Sequence, residues 1–262
     1  MSKKEYLQIL NLIGFLATVI VNFLAVLLPI GGNTTQELSD ALPNLFVPAG
    51  ITFSIWSVIY IFLGLFSVYQ MRDIFKSDKI DMKYLEDVGY FFIIASIANV
   101  TWIFLWHYKL VPLSLIFMIV LLLSLLMIYL RLNIGKSEVS RIEKVAVHVP
   151  FSIYLGWITV ATIANITAVI VDFGKNGLGW PDEAFFGLLP VILTILVIIV
   201  AVLITFGMLI LRRDYAYSLV IVWALLGIFI KQIAANLPVG ITALVSMLII
   251  IVGMIYLIIK RK

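Results

Sequence analysis

The sequence predicts an all-α integral membrane protein, a bundle of eight transmembrane helices with both termini in the cytoplasm. Of its 262 residues, 63% are hydrophobic and only 12% are charged, whereas soluble domains are about 45–50% apolar and about 25% charged. Such a chain has too few polar residues to cover a soluble core, but in a bilayer apolar side chains can face lipid. The composition therefore excludes an ordinary soluble domain and makes the lipid bilayer the first expected partner.

Each apolar stretch of about 20 residues is long enough to cross the hydrocarbon core as a helix. Turns around Pro112 and Pro238 separate two pairs of neighbouring stretches, as in antiparallel helical hairpins. The first stretch is longer than the apolar core of a signal peptide, so we expect it to be retained. The predicted spans are residues 7–30, 50–71, 88–106, 111–130, 145–171, 185–211, 216–234 and 239–259.

The basic residues predict the orientation of these spans. With a cytoplasmic N-terminus and eight crossings, all but three of the 18 Lys and Arg residues fall in cytoplasmic segments, as the positive-inside rule requires. The three exceptions are Lys109, Lys175 and Lys231. An odd number of helices would break this asymmetry. The orientation is best suited to a bacterial plasma membrane.

Charged and metal-binding residues exclude several kinds of site. All fourteen acidic residues lie in loops or at helix ends, which disfavours a proton- or sodium-coupled carrier because such carriers use carboxylates at membrane depth. The absence of cysteine excludes disulfides and Cys-ligated metals. His107 lies in a hairpin turn and His148 near a helix end, so haem ligation is a poor prospect and no cofactor is predicted. The sequence has no basic stripe with interleaved aromatic residues, so no nucleic-acid partner is expected.

Three predicted helices carry aromatic or amide residues at helical spacing. Residues spaced by three, four, seven or eight positions share one face of a helix. Indoles can simply anchor a helix at the membrane interface, and asparagines can simply join neighbouring helices. Together, however, indoles and side-chain amides supply the flat walls and the few polar groups that a ligand pocket needs. The residues concerned are Trp56 and Tyr60; Asn99, Trp102 and Trp106; and Trp157, Ala161 and Asn165.

A connection of nearly 20 residues joins the first two spans. Pro43 and Pro48 stiffen it, and Phe46 is apolar although it lies in a loop. Loops of this length in compact folds are usually lids or binding loops, or else disordered. We expect this loop to be a lid, and a passive surface loop is the alternative.

These motifs resemble the translocator protein / tryptophan-rich sensory protein (TspO/MBR) family over residues 7–171. The chain departs from the family at Ala49, where the family has a second proline, and in three helices that follow the family's usual five. We therefore expect a TspO/MBR-like block, residues 1–172, and an additional three-helix segment, residues 173–262. The motifs are Pro48-Ala49-Gly50 before Trp56-x-x-x-Tyr60; Asn99-x-x-Trp102 with Trp106; and Trp157-x-x-x-Ala161-Thr162-x-x-Asn165.

The resemblance implies a pocket under the first loop that binds porphyrins and other flat hydrophobic ligands, sterols among them in some relatives. It also implies homodimerisation. Indole faces suit flat conjugated rings on physical grounds as well. Carried across by position, the pocket would be lined by Trp56, Tyr60, Asn99, Trp102, Trp106, Trp157, Ala161 and Asn165, and the lid would include Pro43, Phe46 and Pro48.

The function that these features favour is a membrane receptor or sensor for a tetrapyrrole-like or sterol-like ligand. A facilitative transporter of such solutes is the alternative, because three further helices could build a path. An enzyme is disfavoured because no nucleophile–base pair or carboxylate pair is evident. A purely structural scaffold, with aromatic anchors only, would bind no small molecule saturably.

One further stripe lies on the seventh predicted span. Trp223, Gly227 and Lys231 share one face of that helix. A lysine inside a membrane span is a functional candidate, whereas a lysine near the end of a span can simply extend its amine to the interface. The sequence leaves both interpretations open.

Overall fold

The computed structural model describes residues 2–28 and 30–260, and no strand occurs in this part of the chain. Helices α7 and α8 are joined by a π-helical turn, Lys144–His148, and a second π-helical turn, Phe173–Gly177, follows α8. The α-helices are α1 (Lys3–Leu27), α2 (Thr35–Asp40), α3 (Ile55–Gln70), α4 (Lys83–Val88), α5 (Phe91–His107), α6 (Val111–Arg131), α7 (Arg141–Glu143), α8 (Val149–Asp172), α9 (Leu188–Arg212), α10 (Tyr215–Gln232) and α11 (Leu237–Ile259).

Seven helical stretches of the described chain are long and apolar enough to cross a membrane. The remaining predicted span corresponds to α5, an apolar helix of 17 residues. At 1.5 Å per residue it is about 26 Å long, slightly shorter than a hydrocarbon core of about 30 Å. The chain is therefore a multi-pass integral membrane protein with a helical bundle, and the eighth crossing stays a prediction that depends on α5.

The five long helices of the predicted block form a closed ring. Helix α1 packs against α5, α5 against α6, α6 against α8, α8 against α3, and α3 against α1. The additional segment joins this ring through α10, which packs along α8, while α9 and α11 pack on α10 and on each other. Gly156 of α8 permits this close packing, because a Cβ atom there would lie 3.1 Å from Cβ of Val220 in α10.

A buried carboxylate, Asp214, joins the two parts at one end of the bundle. Its oxygens accept hydrogen bonds from Tyr129 Oη of α6 (2.8 Å), Ser152 Oγ of α8 (2.5 Å) and the backbone N–H of Tyr217 (3.0 Å). The last of these bonds caps the N-terminus of α10, where a negative charge is favoured by the helix dipole. Asp214 therefore stabilises both α10 and its position against the ring.

Helix α1 carries a polar stripe that faces the inside of the ring. Gln8, Asn11, Thr18 and Asn22 are all buried, although they lie in an apolar helix that is long enough to cross a membrane. Asn11 donates to Oε1 of Gln70 in α3 at 3.0 Å, and Gln8 donates to Asp73 at 2.9 Å. Such interhelical bonds position neighbouring helices in a membrane.

The loop after α3 contains a second buried carboxylate. Asp73 is fully buried and accepts hydrogen bonds from Lys4 Nζ, Gln8 Nε2 and the N–H of Ile80. Burial alone would raise the pKa of Asp73, but the hydrogen bonds from Lys4, Gln8 and Ile80 outweigh it and hold this pKa well below its usual value.

We expect Asp73 to stabilise the protein at neutral pH and to lose this effect in acid. A carboxyl group with a lowered folded-state pKa contributes its full stability above its unfolded pKa, here about 3.8, and loses it as the pH falls further. The Asp73→Asn variant should therefore melt at a lower temperature than wild type at pH 7, and the difference should shrink below pH 4. A difference in melting temperature that is constant from pH 7 to pH 3 would contradict this.

Candidate functional site

A small cavity lies between the loop that follows α2 and the helices α3, α5 and α8. Its volume is about 50 Å³. We call residues 40–54 the lid loop; this segment runs from the last residue of α2 to the end of the 3-10 turn Gly50–Ser54, and its Pro48 and Phe53 cover the cavity. The lining consists of Thr35, Ser39, Pro48, Phe53, Trp56, Trp102, Trp106, Trp157, Val160, Ala161, Ala164 and Asn165.

Four indoles form most of the wall. Trp102 and Trp106 of α5 are stacked, with ring centres 5.9 Å apart and an angle of 23° between the rings. Trp56 of α3 and Trp157 of α8 meet edge to face at 6.2 Å, and Phe53 meets Trp157 in the same way at 6.0 Å. Edge-to-face and offset contacts are the favoured geometries for aromatic rings. Three helices therefore combine their aromatic faces into one site, as their sequence spacing predicts.

Hydrogen bonds fix two of these indoles. Trp102 Nε1 donates to Oδ1 of Asn165 at 3.2 Å, and Asn165 Nδ2 donates to Ser114 Oγ at 3.1 Å. Trp106 Nε1 donates to the carbonyl oxygen of Thr35 at 3.2 Å. Asn165 therefore orients an indole and joins α5 to α8, while its side chain also lines the cavity.

Trp157 differs from these two indoles because its Nε1–H has no hydrogen-bond partner among the described residues. Trp157 is almost fully buried and lines the cavity. A buried N–H without an acceptor is costly, by about 1–3 kcal/mol. A ligand oxygen or nitrogen that accepts this hydrogen bond would remove the cost.

Two predicted pocket residues, Tyr60 and Asn99, do not line the cavity. Tyr60 lies behind Trp56, with the two rings stacked at 5.6 Å. Asn99 lies deeper in the ring, where its Oδ1 accepts a hydrogen bond from Asn22 of α1 at 2.6 Å. Tyr60 therefore supports Trp56 from behind, Asn99 joins α5 to α1, and neither residue lines the cavity.

The predicted lid residues are divided between two places. Pro48 covers the aromatic cavity, whereas Pro43 and Phe46 line a separate groove of about 450 Å³ between α8 and α9. Phe46 is 2% exposed, so this loop inserts into the protein instead of lying on its surface. The groove is almost entirely apolar, and its few polar groups include Asn44, which donates to Thr167 Oγ1 at 2.5 Å.

Several lining residues could not be found from helical stripes alone. Thr35 and Ser39 come from the short helix α2, and Phe53 comes from the 3-10 turn Gly50–Ser54. A capping box at Thr34 and Glu37 is the sequence signal for α2. That signal predicts a helix at this point but not its position over the indoles.

No ionisable side chain lines the cavity within the described residues. The wall offers flat rings, the buried and unpaired N–H of Trp157, and the hydroxyl groups of Thr35 and Ser39. Groups of this kind bind and orient an apolar molecule but supply no general acid or base at ordinary pH. The arrangement is therefore suited to recognition.

Comparison with known families identifies one match. A family model described as TSPO-like protein matches residues 8–256. The match includes α9, α10 and most of α11, so it extends well beyond the residues that carry the motif resemblance. Comparison with curated proteins and with solved structures finds no match.

Proposed function

Because this chain belongs to the TSPO-like protein family, we propose that it is a membrane receptor or sensor for a flat hydrophobic ligand of the porphyrin type. A broad membrane sensing or binding role follows from the family. The convergence of four indoles from three helices on one cavity is the observation that carries the choice of ligand. Flat conjugated rings stack on such faces and bury large areas at little entropic cost.

The free N–H of Trp157 supports a ligand that carries hydrogen-bond acceptors. Porphyrins have ring nitrogens and peripheral carboxylates or carbonyls that can accept such a bond. The wall offers no metal ligand, so a metal-free porphyrin suits the site as well as a metalated one. Sterols would use the apolar walls but only one hydroxyl group.

The cavity must enlarge before it can hold such a molecule. Pockets for small ligands usually measure about 300–1,000 Å³, whereas this one measures about 50 Å³. The indoles of Trp102 and Trp106 are fixed by hydrogen bonds to Asn165 and Thr35, and Trp56 packs on three aromatic rings, so the part that moves in this proposal is the lid loop. Binding in this proposal therefore includes an opening step.

Titration of the detergent-purified protein with protoporphyrin tests the proposal. We expect saturable binding in the micromolar range, about −8 kcal/mol, measured by the absorbance and fluorescence of the porphyrin itself. The double variant Trp102→Phe/Trp157→Phe removes two N–H donors and part of each ring. Its affinity should be about tenfold lower, since about 1.4 kcal/mol corresponds to a factor of ten.

Trp180→Phe is the matched control, because Trp180 is half-exposed and lies outside the cavity. This variant should bind like wild type. Linear, unsaturable signals that are the same in all three proteins would mean that the porphyrin only partitions into the micelle. That result would remove the proposed function.

Facilitative transport of the same solutes is the second candidate. The observation in its favour is that the lid loop separates the aromatic cavity from the 450 Å³ groove beside α9, so two sites lie on either side of one segment. Vesicles containing the protein would then release trapped porphyrin faster than empty vesicles. Tight binding without any flux would leave the receptor as the function.

The surroundings of the protein form part of the proposal. We place it in a bacterial plasma membrane, with both termini cytoplasmic and with eight crossings, because this arrangement follows the distribution of basic residues. The family resemblance adds a homodimer. We propose no metal and no resident cofactor, and the porphyrin is a ligand.

A further inference from the structure

Helix α10 holds the lid loop at four positions. Trp223 Nε1 donates to the carbonyl oxygen of Thr52 at 3.0 Å, and the N–H of Ala49 donates to the carbonyl oxygen of Gly227 at 3.0 Å. Gln232 Nε2 donates to the carbonyl oxygen of Leu45 at 3.1 Å. Lys231 Nζ pairs with Asp40 Oδ1 at 2.5 Å. We call Trp223, Gly227, Lys231 and Gln232 the clasp.

The clasp explains the stripe of Trp223, Gly227 and Lys231 on α10. Gly227 is where the lid loop comes closest to the helix, because a Cβ atom there would lie 1.9 Å from Thr52 Oγ1 and 2.9 Å from Pro48 Cβ. Only a residue without a side chain permits this approach. Lys231 lies in the last turn of α10, and its charge is paired with Asp40 of the lid loop.

The clasp acts on the same segment that closes the aromatic cavity. Pro48 lines the cavity and also packs closely against α10 at Gly227. Phe53, the other cavity residue of the lid loop, follows directly after Thr52. Movement of the lid loop away from α10 would therefore displace two residues of the cavity roof.

The strengths of the clasp contacts suit an opening device. Three are single hydrogen bonds to backbone groups, each with a net contribution of about 0.5–1.5 kcal/mol, and the bond from Gln232 is buried. The ion pair is partly exposed, with 31% and 43% of the Lys231 and Asp40 side chains accessible, and such pairs contribute little on their own. The lid loop is held closed by these contacts together with the burial of Leu45, Phe46 and Val47, so opening requires several contacts to break together.

We propose that the clasp of α10 controls ligand admission to the aromatic cavity, and this inference rests on the proposed function. The additional three-helix segment then has a defined role, which is to hold the lid loop of the five-helix ring from outside. The clasp residues are positioning residues, because they contact the lid loop and not the cavity.

The double variant Trp223→Phe/Lys231→Met tests the inference. It removes one hydrogen bond and the ion pair but keeps an aromatic ring and a flexible apolar chain. In ligand-free protein, hydrogen exchange at the amide of Ala49 should be about tenfold faster than in wild type, since each neutral hydrogen bond changes such an equilibrium by a few fold. The association rate of protoporphyrin should rise by a similar factor.

Lys175→Met is the matched control, because Lys175 forms an exposed pair with Asp182 at 2.8 Å and does not contact the lid loop. It should leave both rates at the wild-type value. Asp40→Asn breaks the same ion pair from the other side. Like the single variant Lys231→Met, it should raise both the exchange rate at Ala49 and the association rate of protoporphyrin. This second variant keeps the test valid if Trp223→Phe disturbs the packing of α10.

The outcomes separate the two proposals. If wild type binds protoporphyrin saturably and the clasp variants leave both rates unchanged, the inference is wrong and the proposed function stands. If exchange becomes faster but association does not, the clasp has no role in admission, and the inference is also wrong. If wild type shows no saturable binding, the proposed function fails and the inference fails with it.

Discussion

Replacing Asp214 with alanine is expected to lower the free energy of unfolding by at least about 3 kcal/mol. The substitution leaves three buried donors, Tyr129 Oη, Ser152 Oγ and the N–H of Tyr217, without their acceptor. Each buried donor that loses its partner costs about 1–3 kcal/mol. Loss of the α10 cap adds to this. Thermal or detergent-induced unfolding, followed by circular dichroism, measures the effect.

Asp182→Ala is the control, because Asp182 is an exposed carboxylate paired with Lys175, and its loss should change stability by less than about 1 kcal/mol. Asp214→Asn should lie between wild type and Asp214→Ala, since one side-chain oxygen remains as an acceptor while the new amide N–H₂ faces donors. Equal losses in Asp214→Ala and Asp182→Ala would show that Asp214 does not join the ring to α10.

The helical bundle could be predicted from hydrophobic segments because length and composition alone determine which stretches suit a bilayer. The ends of the spans were less accurate. The predicted sixth span begins at residue 185, but α9 begins at Leu188 after the 3-10 turn Asp182–Phe185 and Gly187. The fifth span is bounded by two π-helical turns, and hydrophobicity does not distinguish these turns from an α-helix.

The buried polar residues of α1 were not predicted as a group. Gln8, Asn11, Thr18 and Asn22 lie at helical spacing within an apolar run, and this spacing is a usable signal for an interior face. Their partners, such as Gln70 and Asn99, depend on which helices are neighbours in the ring. A single sequence contains no direct information on that order.

The candidate site shows the same contrast: the sequence predicts which residues share a helix face but not what that face contacts. A period of 3.6 residues predicts that Trp56 and Tyr60 share a face, yet only Trp56 reaches the cavity, since Tyr60 is one turn farther along α3. Pro43 and Phe46 were placed in the lid with Pro48 because they lie in one loop. The path of a loop has no period, so its division between the cavity and the groove required the structure.

The division of the chain at residue 172 stays a prediction, although hydrogen bonds join its two parts at both ends of the bundle. The family match covers residues 8–256 without distinguishing them. Asp214 joins them at one end of the bundle, and the clasp joins them at the other. These contacts favour one cooperative unit, in which α9 and α11 join the closed five-helix ring through α10.

Filling the aromatic cavity is expected to reduce porphyrin affinity more than any change in its hydrogen bonds. Ala161 is a small residue in the wall of the cavity on α8, so Ala161→Phe would place a ring in the space that the ligand needs. We expect at least about a thirtyfold loss of affinity, which corresponds to about 2 kcal/mol. Isothermal titration with protoporphyrin, together with a melting curve, measures binding and folding separately.

Ile97→Phe adds the same ring to α5 at a lipid-facing position, where the native side chain is 59% exposed, and it should leave affinity unchanged. Ala164→Phe fills the cavity one turn away and should repeat the effect of Ala161→Phe if the latter melts early from overpacking. Wild-type affinity in both filled variants would exclude the aromatic cavity as the binding site. The apolar groove between α8 and α9, whose 450 Å³ already suits a small ligand, would then be the site to test, because both filled positions lie outside its lining.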